Sequence, residues 1–152
     1  GKPVVAAGGI GDGRGVAAAL ALGAQGAWVG TAFLFADEVF IHPDHRAQLM
    51  RGRSEDFAAT RIYTGKPART YRNTLHAEWA AAGLEPLGMP HQKVLFEDFL
   101  HAARSAGRLD LVSNPAGQVA GMLREVRPAA DILRELVQGA EQSIARLHAF
   151  NT

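Results

Sequence analysis

The chain contains no cysteine. That excludes disulfides, thiolate catalysis and cysteine-ligated metal. Lysine is scarce, supplying three of the 16 basic residues, and 15 acidic residues leave a formal net charge of +1. So small an imbalance removes the electrostatic case for a nucleic-acid or anionic-membrane partner. No apolar run approaches the ~18 residues that a membrane span requires. No leader-like segment is read, and a cytoplasmic location is expected. Internal repeats and low-complexity tracts are also absent. What remains is ordinary: 152 residues, 47% apolar and 20% charged, enough for one domain with a real core.

The stretch Pro3-Val4-Val5-Ala6-Ala7-Gly8-Gly9-Ile10-Gly11-Asp12-Gly13 organises the rest. Val4 to Ala7 read as a short buried strand of the kind covered on both faces. Gly8 and Gly9 permit a sharp turn and close approach of a ligand to the main chain. Asp12 is placed to cap a helix over Gly13–Leu22, with Gly23 as its stop. A second apolar run, Gly26 to Val29, also ends in glycine plus a hydroxyl residue, Gly30-Thr31. Two strands joined by one helix form a right-handed, parallel unit. Gly8, Gly9, Gly30 and Thr31 would then meet at one sheet edge, beside a helix N-terminus, an arrangement suited to phosphate. In (β/α)8 barrels a phosphate commonly lies between the loops after strands seven and eight.

The run PVVAAGGIGDGRGVAAALALGAQGAWVGTAF (residues 3–33) closely resembles the FMN-binding segment of nitronate monooxygenases. Two later pieces resemble the same family: Tyr63-Thr64-Gly65-Lys66-Pro67-Ala68-Arg69 with Asn73, and Pro115-Ala116-Gly117-Gln118-Val119-Ala120-Gly121-Met122. The resemblance spans nearly the whole chain and is tightest over residues 3–35. It implies an α/β fold: the C-terminal part of a (β/α)8 TIM barrel, holding its last two parallel strands. Residues 1–35 would be the last βαβ unit with the phosphate loops. Residues 36–112 would be a lid-like, mostly helical insertion, and 113–152 the region of the closing barrel helix.

The resemblance also implies an FMN flavoprotein, an oxidoreductase that oxidises alkyl nitronates with O2 to a carbonyl compound and nitrite. Gly8, Gly9, Gly30 and Thr31 would hold the FMN 5′-phosphate. The family's catalytic histidine base would lie upstream of Gly1, so no catalytic residue is assigned here, and the segment alone would be inactive. The opening residue is not Met, consistent with a piece of a longer protein. Two other readings stand beside this one. Flavin-dependent enoyl-acyl-carrier-protein reductases, which use NAD(P)H, share the GGI…GT element. A non-catalytic remnant that binds phosphate or a partner protein is the third. Oligomeric state is left open.

Other residues have competing readings. Arg14 either reaches a phosphate or lies in solvent. Trp28 either touches a cofactor edge or packs beneath barrel helices. Gln118 is read as approaching the cofactor or the lid. His42 and His45, three apart, have a spacing compatible with metal, but no third ligand accompanies them and both are read as solvated. Helices are expected over 44–52, 68–82, 94–106 and from Gln118 to before Pro128, with a last helix opening at Pro128. Ile132, Leu136, Ala140, Ile144 and Leu147 form its apolar stripe. Thr60–Thr64 alternates as a strand.

Overall fold

The computed structural model describes residues 1–151, and Thr152 lies outside it. The chain divides into two compact units, Gly1–Ile41 with Val119–Thr152, and His42–Gln118. No helix among the described residues is long and apolar enough to cross a membrane.

The first unit is α/β. Strand β1 (Val5–Ala7) leads through the glycine turn to helix α1 (Gly13–Ala21), and β2 (Gly26–Trp28) follows. The strands pair in parallel with Val5 opposite Gly26, Ala6 opposite Ala27 and Ala7 opposite Trp28. The expected βαβ unit is therefore present, with each strand one residue shorter than expected. Asp12 caps α1, its carboxylate accepting from the Gly15 amide at 2.9 Å. Gly23 closes the helix with φ +98°, a conformation that glycine adopts cheaply. One expectation fails: within this chain the two strands are not covered on both faces. Val4, Val5 and Trp28 are exposed, Trp28 by 73%.

A 3-10 helix, Thr31–Phe35, follows β2. Ala36 then bridges Arg127 in parallel, which brings the C-terminal part of the chain back to this unit. Helix α5 (Ala129–His148) begins just after Pro128 and lies along α1. Its Ile132 and Leu136 join Ala32 and Ala36 in the core, with Val16, Val29 and Phe33 against them. Ile144 and Leu147, expected on the same buried stripe, are about half exposed because the stripe runs past the end of that core. No α-helix spans Gln118 to Pro128. Gln118–Met122 is a short 3-10 helix, and irregular chain connects it to α5.

The second unit is mostly helical around one hairpin. Helix α2 (Pro43–Arg51) starts with proline in its first turn and ends at Gly52. Strands β3 (Phe57–Thr60) and β4 (Ala68–Tyr71) pair antiparallel, Phe57 opposite Tyr71. Helices α3 (Thr74–Ala81) and α4 (His91–Ser105) follow. Two expectations are corrected here. Thr60–Thr64 is not a strand: only Thr60 belongs to β3, and the chain then turns, with the Ile62 amide on the Thr60 hydroxyl and the Gly65 amide on the Arg61 carbonyl at 2.8 Å. Ala68–Ala82 is not one helix. Its first four residues belong to the hairpin, where Thr70 is buried and accepts from the Asn114 amide, and the helix starts only after Asn73.

Candidate phosphate-binding site

The site is built from the ends of β1 and β2. Because Ala7 stands opposite Trp28 in a parallel ladder, the segments that leave both strands emerge at the same edge. Gly8 and Gly9 have φ of +91° and +72°. Two successive residues in this region demand glycine, since any Cβ there is strained. A Cβ built on either meets nothing within 4 Å. Packing inside the chain thus requires neither glycine; the backbone conformation does, and it leaves open space over the turn. On the other strand, Gly30 precedes the Thr31–Phe35 helix and is also free of neighbours at its Cβ position, while Thr31 is half-buried. The segments that carry these four residues therefore leave the sheet at one edge, and no protein atom lies within 4 Å of a Cβ built on Gly8, Gly9 or Gly30.

The N-terminus of α1 differs from expectation. Its Gly15 amide is not free for a ligand, because the Asp12 carboxylate accepts from it. Arg14 in turn donates to Asp12 through Nε at 2.8 Å and Nη2 at 2.6 Å, which resolves its two readings in favour of a partly exposed ion pair. The Gly15 amide bond, aided by Arg14, holds the Asp12 carboxyl below its ordinary value despite opposing burial. The Gly11 turn residue is required by contact: a Cβ there would lie 2.3 Å from Val119 Cγ2, so the Gln118–Met122 segment sits directly on the turn. Sequence spacing alone gave no sign of that contact.

The Tyr63–Arg69 piece and Asn73 have structural roles. Asn73 Nδ2 donates to Tyr63 Oη at 2.9 Å and to the Val112 carbonyl at 2.9 Å. Burial pushes the Tyr63 phenol up to about 12. Arg69 donates to the Phe57 carbonyl at 2.8 Å. Gly65, with φ +80°, lies so close to the Gly88-Met89 backbone that a Cβ would be 2.4 Å from the Met89 nitrogen.

The histidines need correction too. His42 is exposed and caps α2 by accepting from the Asp44 amide at 3.2 Å. His45 is not solvated: its Nε2 is buried without a hydrogen-bond partner among the described residues, and so is that of His76. Desolvation lowers both imidazoles, and the Leu109 backbone partly opposes the shift at His45. No group of three His, Cys, Asp or Glu side chains among the described residues could hold a metal ion.

A parallel βαβ unit in which a glycine turn follows the first strand defines the class: an α/β protein. The family model for nitronate monooxygenase matches residues 2–139, and the chain belongs to that family. It is 40% identical to a nitronate monooxygenase of Pseudomonas aeruginosa over 90% of this chain and 39% of the relative. Against a nitronate monooxygenase of Paraburkholderia phytofirmans the identity is 37%, over 97% of this chain and 40% of the relative. The chain thus spans about 40% of the length of these curated relatives. Among solved structures, nitroalkane oxidase from Streptomyces ansochromogenes superposes with TM-score 0.83 at 35% identity, covering 95% of this chain and 41% of that one. FabK from Thermotoga maritima gives 0.80 at 32%, covering 99% and 48%.

Proposed function

We propose that this chain is the phosphate-holding C-terminal part of an FMN-dependent nitronate monooxygenase built on a (β/α)8 barrel. The observation that carries the proposal is the shared edge: Gly8 and Gly9, both at positive φ, follow β1 directly, and Gly30 and Thr31 follow β2, its parallel neighbour. In this reading the backbone amides of Gly8, Gly9 and Gly30, with the Thr31 hydroxyl, bind the FMN 5′-phosphate. Asp12 turns its charge onto α1 and Arg14 and so is kept from repelling the phosphate. FMN supplies the redox chemistry by which an alkyl nitronate and O2 become a carbonyl compound and nitrite. The protein's part here is to anchor and orient. The base is supplied by a residue outside this chain, residues 36–112 act as a lid, and the site is cytoplasmic.

The likeness to FabK supports a second reading, a flavin-dependent enoyl-acyl-carrier-protein reductase. One experiment separates them. The intact protein is purified, its flavin released by denaturation and identified, and turnover measured with an alkyl nitronate plus O2 and with an enoyl thioester plus NAD(P)H. FMN release and nitrite production are expected. A protein that stays colourless with FMN overturns both readings, and reductase activity without nitrite overturns the first.

A further inference from the structure

Helices α1 and α5 cross through a pair of glycines. A Cβ on Gly13 would lie 2.3 Å from the Gly139 carbonyl carbon and 2.4 Å from the Ala140 nitrogen. A Cβ on Gly139 would lie 3.2 Å from Gly13 Cα and 3.5 Å from Gly13 N. Neither glycine has a positive φ. Contact, not backbone conformation, requires them, and α5's main chain rests directly on the first residue of α1.

That residue adjoins the glycine turn. The segment Gly8–Asp12 is held at two ends: at Ala7, paired with Trp28, and at Gly13, seated on Gly139. Gly11 is held between them by Val119. We propose that Gly139 is a positioning residue for the cofactor phosphate. By having no side chain it sets where α1 begins, and through that the direction in which the Gly8 and Gly9 amides point. A methyl at Gly139 must push Gly13 back by a few tenths of an ångström. Close-packed interiors transmit such strain. The ladder holds Ala7, so the displacement falls on the turn.

The inference rests on reading that turn as the FMN phosphate site, and the test distinguishes the two. Gly139→Ala and Thr31→Ala are made in the intact protein, and FMN and riboflavin are titrated by flavin fluorescence. The 31P resonance of bound FMN is recorded alongside. Riboflavin lacks the phosphate, so a general loosening of the fold weakens both ligands, whereas a displaced turn weakens FMN alone. A misdirected hydrogen bond to an anion loses part of its worth, so Gly139→Ala is expected to weaken FMN about fivefold. Riboflavin affinity should stay unchanged and the 31P resonance should move. Equal weakening of both ligands, or unchanged FMN affinity, overturns the positioning role. If Thr31→Ala weakens FMN while Gly139→Ala does not, only this inference fails. If Thr31→Ala is silent, the phosphate site itself is wrong. Should Gly139→Ala not fold, Ala140→Gly removes a buried methyl from the residue whose nitrogen lies at the same crossing, and an unaltered FMN-to-riboflavin affinity ratio there overturns the proposal.

Discussion

The Gly15 amide donates to Asp12 Oδ1 at 2.9 Å, so α1 carries its own anion at the end that follows the glycine turn. The charge at the helix terminus is thus met by α1's own amide and by Arg14. An anion at a helix N-terminus stabilises through both hydrogen bonding and the helix dipole.

Asp12→Ala is expected to lower stability by about 1 kcal/mol, as for other lost N-caps. Asp12→Asn keeps the accepting oxygen and should lose less. Urea denaturation measures both. The Asp12 carboxyl is held below its ordinary value of 3.8, so its contribution is present above that value and is lost as pH falls through the lowered one. Repeating the melts near pH 3 should shrink the difference between wild type and Asp12→Ala.

At the phosphate edge, Gly9→Val places a branched residue at φ +72°, where only glycine sits without strain. It should abolish tight FMN binding. Thr31→Ala removes one hydroxyl donor to an anion, worth about 1.5–3 kcal/mol, or roughly 10- to 150-fold in affinity. Titration by flavin fluorescence, with thermal melts to show that the variants are folded, checks both. FMN bound as tightly as by wild type in both folded variants would remove the site.

Asn73 holds Tyr63 and the Val112 carbonyl together. Asn73→Ala leaves a buried phenol and a carbonyl short of partners, at about 2–4 kcal/mol. Tyr63→Phe should cost only about 1 kcal/mol, because the hydroxyl leaves with its own need for a partner. Chemical denaturation reads these. In folded protein, FMN affinity of Tyr63→Phe should match wild type.

His45 and His76 titrate below the ordinary histidine value of 6.5 because burial disfavours their charged forms. Around 6.5 the unfolded chain binds more protons than the native one, so stability falls as pH drops through 6.5 and stops falling below the lowered values. Arg72 beside His76, and His42 and Arg104 near His45, reinforce the shift, while Asp44 opposes it. The double variant His45→Gln, His76→Gln should flatten the dependence of the urea midpoint on pH between 7 and 5. An unchanged slope would assign the acid sensitivity to other groups.

The βαβ unit, the Asp12 cap, the Gly23 stop and the opening of α5 were legible because each depends on neighbours a few residues away. Apolar runs of three or four residues, a carboxylate three residues before an amide and a proline at a helix start carry local physics. Arg69 to Tyr71 read as helix because nothing nearby contradicts it. Their partners Phe57 to Ala59 lie across a loop, and their ladder is a long-range decision. His45 read as solvated because a polar residue near a helix start usually is. Only the packing of the second unit buries its Nε2.

By itself, the order of residues determined that Gly8 and Gly9 form a turn after a short strand, since a pair of glycines followed by a capping aspartate leaves the backbone few other courses. It also carried the family resemblance. What only the tertiary structure decided is which glycines serve conformation and which serve contact. Gly8 and Gly9 are glycines for their φ values, whereas Gly11, Gly13 and Gly139 are glycines because another backbone or side chain occupies the space of a Cβ. That distinction depends on which distant segments meet, and helices α1 and α5 meet only when the whole chain has folded.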